Sequence, residues 1–169
     1  MNKKYIPGVI IVEGKHDAAK VSSLYESIFV ITNGYEIPKE EIDFVTHLSN
    51  DIQIIVLTDN DEAGNTIRKR LNDIRNNMIN VVVKAPENSK KKGINECLIN
   101  DIQNALDKYS KDIGIDFNDY QLNRLNKSEI ELLSKEFHLG KCSKKTFIKR
   151  VMLLGIKEKI LGRINNASN

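Results

Sequence analysis

Four short runs rich in Val and Ile recur along the chain: GVIIVEG (8–14), IFVIT (28–32), QIIVLTD (53–59) and INVVVK (79–84), each bounded by Gly, Asn, Asp or Pro. A strand with one wet face alternates apolar and polar side chains. These runs do not, and so they predict strands buried on both faces. Between them lie segments with helical spacing: DAAKVSSLYES (17–27), PKEEIDFVTHLSN (38–50) with Pro38 at a first-turn position, and DEAGNTIRKRLNDIRNN (61–77). After the fourth run comes NECLINDIQNALDKY (95–109), with Leu98, Ile102, Ala105 and Leu106 on one stripe. Strand then helix, repeated four times, predicts an α/β fold: a mostly parallel four-stranded sheet with right-handed crossovers and helices on both faces.

From about residue 110 the strand-like runs stop, and NKSEIELLSKEFHLG, SKKTFIKRVMLLG and IKEKILGRI follow as short helical pieces. Ser128 with Glu131 fits a capping box, Ser143 can cap the next helix, and Gly140 and Gly155 are natural stops. The expected organisation is a sheet domain over residues 1–110 and a small all-helical appendage over 118–169, joined by the polar stretch SKDIGIDFNDY. Charge follows the same division. Residues 1–117 carry 15 Lys and Arg against 18 Asp and Glu, a balance of −3, whereas 118–169 carry 11 against 5, a balance of +6. Such asymmetry fits either an acidic partner such as nucleic acid held by the tail, or simply a solvated helical face.

Hydrophobic residues at 40% and charged residues at 29% describe a globular chain with a real core. No run approaches the roughly 18 apolar residues of a membrane span, and no small-residue cleavage site follows the N-terminal apolar stretch, so the cytoplasm is the expected location. Cys97 and Cys142 stand far apart, suggesting neither a disulfide framework nor a zinc site.

The third run ends on Asp59-Asn60-Asp61. In an open parallel sheet the functional crevice lies at the carboxyl ends of the strands. Asp59 and Asp61 fall there, and so does Glu13 at the end of the first strand. If those strands are neighbours, three carboxylates converge, and they repel one another unless a cation sits among them. Hard oxygen donors with room for waters suit Mg²⁺ or Mn²⁺, which would polarise a phosphoryl oxygen or activate a water. The competing reading is structural: Asp59 terminates a strand and Asp61 caps the next helix.

These residues resemble a family. VEGKHD and LTDNDEAG, a strand ending in Glu-Gly and another ending in Asp-x-Asp with a nearby Gly, resemble the Toprim domain of topoisomerases, primases, several nucleases and a recombination mediator, over roughly residues 7–109. The resemblance implies that Glu13 is a metal ligand or general acid/base and that Asp59 and Asp61 bind Mg²⁺. Within that superfamily, ITNGYEIPKEEID and the tail LLSKEFHLGKCSKKTFIKRVMLLGI resemble the ribonuclease that matures 5S ribosomal RNA, ribonuclease M-five. That likeness implies Mg²⁺-dependent cleavage of the precursor's double-helical stem, assisted in some members by the large-subunit ribosomal protein that carries 5S rRNA. His16 stands where that family usually has Asp, Asn60 where it has Pro, and GINEC (93–97) is closer to the primase version. A DNA-directed Toprim nuclease or primase-like protein, and a non-catalytic nucleic-acid binder, are the alternatives.

Other residues carry secondary readings. Gly14 allows close backbone approach to a phosphate that Lys15 could neutralise, or it merely makes a turn. His16 reads as a loop residue and Asp17 as the cap of the first helix. Thr32-Asn33-Gly34 ends the second strand as a turn or a substrate contact. KAPENSKKKGINE (84–96) brings four lysines to the same rim, and Glu96 is either a second-metal carboxylate or a first-turn residue of its helix. In the tail, Lys141, Lys144, Lys145, Lys149 and Arg150 form the expected RNA-facing cluster, Phe137, Phe147, Met152 and Leu153 its core, and His138 a packing or solvent-facing residue.

Overall fold

The computed structural model describes residues 3–34, 36–88, 93–112 and 116–167. The chain forms two compact units, Met1–Pro38 with Leu48–Gly114, and Lys39–His47 with Ile115–Asn169.

The first unit is an α/β sheet with flanking helices. Strands β1 (Lys4–Val12), β2 (Tyr25–Ile31), β3 (Ile54–Thr58) and β4 (Ile79–Val82) pair in parallel in the order β2-β1-β3-β4. The two central strands, β1 and β3, are the two that run into acidic residues. Every residue of β3 is buried, as its unbroken apolar run requires. Strand β4 lies at the edge, with Val82 41% exposed, so burial on both faces does not extend to it. Helices α1 (Lys15–Leu24), α3 (Glu62–Ile74) and α4 (Ile99–Leu106) complete the unit. One face of the sheet contributes Ile6, Ile10, Val12, Ile55, Leu57, Val81 and Val83 to a core closed by Val21 of α1 and by Ile102 and Leu106 of α4. By strand alternation the equally buried Val9, Ile11, Ile54 and Val56 point the other way.

Several element boundaries differ from expectation. The first strand begins at Lys4, before a bulge at Pro7-Gly8 where the register shifts. Gly8 takes φ +122°, and a Cβ there would lie 2.1 Å from the Gln53 carbonyl oxygen, so only glycine fits. The first helix stops at Leu24 instead of reaching Ser27. Tyr25 and Glu26 pair with Lys4 and Tyr5, and the buried Tyr25 hydroxyl donates to Asp107, contacts that helical spacing does not register. His16 is in the first turn of α1, not in a loop. Asp17 is not the cap but the third helical residue, and its carboxylate accepts the Gly14 N–H at 3.0 Å. The expected helix over 95–109 is broken into a 3₁₀ turn (Ile94–Glu96), α4 and a second 3₁₀ turn (Asp107–Tyr109). Glu96 therefore precedes α4 by a separate turn. Residues 89–92, which include three of the four rim lysines, lie outside the described residues.

The second unit comprises α2 (Lys39–His47), α5 (Tyr120–Asn123), α6 (Lys127–Glu136), α7 (Lys144–Leu153) and α8 (Lys157–Ala167). Its core holds Leu122, Leu125, Ile130, Leu133, Leu139, Phe147, Ile148, Val151 and Ile160, with Phe137 and Met152 packed against it. Ser143 caps α7 by accepting from the Thr146 N–H. The capping box of α6 is formed by Asn126 and Glu129, which exchange hydrogen bonds of 3.0 and 2.7 Å, two residues before the expected Ser128 and Glu131. Asn caps as well as Ser does, and the earlier start adds half a turn of helix. Counting α2 and Asp116 with this unit gives 12 Lys and Arg against 9 Asp and Glu, an excess of +3 instead of the tail's +6. Among the described residues, no helix is long and apolar enough to cross a membrane.

Candidate active site

Because β1 and β3 pair in parallel through Val9↔Ile54, Ile10↔Ile55 and Ile11↔Val56, their carboxyl ends emerge side by side. Glu13 and Asp59 are each the first residue past a strand. They meet there: Glu13 Oε1 accepts the Asp59 backbone N–H at 2.8 Å. Asp59 Oδ1 in turn accepts the N–H of Ile94 at 2.8 Å, and Asp61 Oδ1 accepts that of Gly64 at 2.8 Å as the N-cap of α3. Each carboxylate thus commits one oxygen to a backbone amide. The second oxygen of each has no hydrogen-bond partner among the described residues.

The surroundings penalise charge here. Burial raises the Glu13 carboxyl above the ordinary glutamate range, the neighbouring Asp59, Asp61 and Asp17 raise it further, and the Asp59 N–H opposes the shift. Asp59 is also raised, first by burial and then by Asp17 and Asp61, against the lowering effects of the Ile94 N–H and Arg68. A divalent cation would relieve this repulsion, and the free carboxylate oxygens offer it donors. The three side chains do not close to within 4.8 Å of one another, as ligand atoms gripping one small ion directly would. That looseness fits a hard ion that keeps several waters and takes one or two carboxylates.

Two glycines make the arrangement possible. A Cβ on Gly64 would lie 2.1 Å from the Asp59 carbonyl oxygen and 3.0 Å from Glu13 Oε1, and one on Gly93 would lie 3.1 Å from Asp59 Oδ2. Arg68, 9% exposed, is a residue that the sequence reading missed. Its guanidinium donates to Thr58 Oγ1, to the Asp59 carbonyl at 3.0 Å and to Asn65 Oδ1 at 2.6 Å, bracing the strand exit. The available signal is spacing, since Arg68 follows Gly64 by one helical turn on the same face. Asp17 has a similar bracing role: besides Gly14 it accepts the Asn95 N–H at 3.2 Å, tying the loop after β1 to the 3₁₀ turn.

Lys15 is exposed at the start of α1, and Glu96 is exposed and makes none of the bonds that fix the trio. Asn33 and Gly34 both take positive φ, 53° and 77°, as a turn requires. In the helical unit, Lys144 and Lys145 are exposed, Lys144 donating to the Asn123 carbonyl at 3.0 Å, and Lys149 stands over the Phe117 ring at 5.5 Å. Arg150 does not belong with them. It is 2% exposed, donates to Glu41 Oε2 at 2.7 Å and to the Leu139 carbonyl, and stacks over Phe44. Falling three residues after the buried Phe147, it is on the inward face of α7, so its charge is committed inside the protein and is withdrawn from the RNA-facing set.

A parallel sheet whose adjacent central strands end in Glu-Gly and Asp-x-Asp, with a partly buried acidic cluster over the strand ends, defines a Toprim-type protein, a class generally dependent on divalent metal. The Toprim domain family matches residues 8–86. Along the chain's whole length the similarity is narrower. Ribonuclease M5 of Mycoplasma mycoides subsp. mycoides SC is 32% identical over 178 residues, covering 96% of this chain and 99% of the relative. Ribonuclease M5 of Mycoplasma capricolum subsp. capricolum is 31% identical, covering 93% and 96%. A small Toprim domain protein from Bacillus stearothermophilus, a solved structure, aligns with a TM-score of 0.49 at 23% identity over 61% of this chain and 88% of that one. The chain belongs to the ribonuclease M5 family.

Proposed function

We propose that this protein is a Mg²⁺-dependent endoribonuclease that cleaves 5S rRNA precursor during ribosomal RNA maturation in the cytoplasm, Mn²⁺ being the ion that could replace Mg²⁺. The observation that carries the reading is the meeting of Glu13 and Asp59 at the ends of adjacent parallel strands, in a chain similar throughout to proteins named Ribonuclease M5. Asp59 and Asp61 would hold the ion through the oxygens they do not give to Ile94 and Gly64. When bound, the ion supplies Lewis-acid polarisation of the phosphoryl group and neutralises charge developing on it.

Glu13 has a separate part. Its second oxygen, which no backbone amide occupies, is free to take the proton of the attacking water. The hydrogen bond donated by the Asp59 N–H holds that side chain in register while the proton moves. Lys15 neutralises a phosphate beside the strand ends. In this proposal the sheet unit, the expected domain of residues 1–110 less α2, carries the chemistry, and the helical part, 118–169 with α2, binds structured RNA through Lys144, Lys145 and Lys149. The large-subunit protein that binds 5S rRNA presents the substrate.

Purified protein incubated with 5S rRNA precursor and Mg²⁺, with and without that ribosomal protein, should give discrete products that EDTA abolishes. Precursor left intact in every arm, or duplex DNA cut in preference to it, would overturn the proposal.

A further inference from the structure

Asp43 and His47 lie one turn apart on α2, and His138 follows α6 in the same unit. Asp43 Oδ2 is 2.8 Å from His138 Nδ1, and Asp43 Oδ1 is 3.2 Å from His47 Nδ1. The two imidazoles stack, with centroids 3.7 Å apart and 7° between their planes. A ligand atom from each of the three lies within 4.8 Å of the others, the one such grouping among the described residues. We propose that Asp43, His47 and His138 form a second metal site, for a borderline divalent transition ion such as Zn²⁺, distinct from the acidic trio of the sheet unit.

The chemistry separates the two sites. Imidazole nitrogens favour Zn²⁺ or Co²⁺, whereas an all-oxygen set favours Mg²⁺. Two histidines and one carboxylate are a familiar three-ligand zinc set, with water in the fourth position. The three side chains are 43–47% exposed, which leaves that position open to solvent.

The backbone supports the assignment. His138 takes φ +51°, a left-handed conformation that a non-glycine residue adopts at some cost. At a helix C-terminus that place ordinarily falls to Gly or Asn. Here the Leu139 N–H bonds back to the Ser134 carbonyl at 2.8 Å, closing the turn with an imidazole placed against α2. A strained residue at the point where a side chain meets two other ligands invites a functional reading.

In the absence of metal the stacked rings do not aim both lone pairs at one point, and His47 Nδ1 also lies 2.9 Å from the Asp43 carbonyl oxygen. Binding therefore requires the rings to fan apart, which their exposure permits. The ion would then pin α2 to the segment after α6. The Arg150–Glu41 pair on the same helix is a tie independent of metal; this second tie would depend on it.

The test uses the full chain, stripped with chelator and returned to buffer containing excess Mg²⁺ to satisfy the acidic trio. Zn²⁺ titration by calorimetry should show one equivalent bound and a raised melting temperature, and Co²⁺ should give visible ligand-field bands. H138N, which removes the imidazole but tolerates positive φ, and H47Q should each abolish that equivalent, while D59N and D61N keep it. No Zn²⁺ binding by the parent, binding retained in the H47Q/H138N double variant, or binding lost in D59N, overturns the proposal. None of these outcomes depends on whether the protein cleaves RNA.

Discussion

Replacing Gly64 with alanine should reverse the usual sign of that substitution. In an exposed helix interior, Gly→Ala stabilises by about 1 kcal/mol, because glycine loses more backbone entropy on folding. At Gly64 the new Cβ would stand 2.1 Å from the Asp59 carbonyl oxygen, 3.0 Å from its carbon and 3.0 Å from Glu13 Oε1. A carbon and an oxygen rest at about 3.3 Å or more, so the gap must open by roughly 1 Å. The atoms in the way are main chain, and that carbonyl is also held by the Arg68 guanidinium, which donates to it. Overpacking of this kind costs about 1–3 kcal/mol, and with an anchored carbonyl the upper part of that range applies. Set against the helix gain, the net loss is about 1–2 kcal/mol.

Gly162 in α8 is the control: nothing lies within 4 Å of a Cβ built there, so Gly162→Ala should stabilise by up to about 1 kcal/mol. Urea denaturation of both variants beside the parent measures the two signs. Cleavage adds a second readout, because a reacting group displaced by about 1 Å can cost on the order of 100-fold in rate, and Gly64→Ala displaces both Asp59 and Glu13. If Gly64→Ala is as stabilising as Gly162→Ala, or keeps full activity, the packing of α3 against the strand exit is not what fixes the site.

Three further outcomes are expected. Glu13 and Asp59 have raised folded-state pKa values, so their ionisation opposes folding at neutral pH and the penalty disappears as pH falls below the ordinary carboxyl value of about 4. Glu13→Gln and Asp59→Asn without metal should therefore melt at or above the parent at pH 7 and converge with it in acid, with Mg²⁺ raising the parent's melting temperature more than theirs; variants less stable at pH 7 would sink the electrostatic account. Arg150→Met leaves the Glu41 carboxylate buried without its partner and should cost about 3–5 kcal/mol by urea denaturation, with most of the loss recovered in Glu41→Met/Arg150→Met; the single variant should leave the salt slope of RNA binding unchanged. Lys144→Ala/Lys145→Ala, by contrast, should flatten the dependence of log affinity on log salt by about 0.7–0.9 for each phosphate no longer neutralised, and an unchanged slope removes those lysines from the interface.

The sheet was legible because its signals are local. Each buried strand advertises itself by an unbroken apolar run, and a strand followed by a helix four times over has few ways to close. Legibility fails where an interaction is long-range. Tyr25 to Ser27 read as the end of a helix because nothing nearby records that Tyr25 will pair beside Lys4 and reach Asp107. Helix α2 sits in the middle of the strand-helix alternation, yet it belongs with the C-terminal helices through Glu41, whose partner Arg150 lies 109 residues away. Arg150 itself looks, in the sequence, like one more cation in a basic run. Only the inward face of α7, set by Phe147 and Val151, separates it from Lys144 and Lys145.

The candidate site was legible in its side chains and not in what holds them. Placement at the carboxyl ends of neighbouring parallel strands brings Glu13 to Asp59, but the amides that orient them come from elsewhere, Ile94 being 35 residues beyond Asp59. The choice between Asp61 as ligand and Asp61 as helix cap arises from treating a carboxylate as one group. It has two oxygens. Oδ1 caps α3 on the Gly64 N–H, and the same bond aims Oδ2 from a fixed pivot, so a cap fixes the direction in which a ligand can be offered. The same division holds at Glu13 and Asp59, each anchored by one oxygen on a backbone amide. Three carboxylates held in this way cannot swing apart to relieve their repulsion; burial first, and the neighbouring carboxylates after it, raise the affinity of Glu13 and Asp59 for protons, and a cation would offset that penalty on their charge.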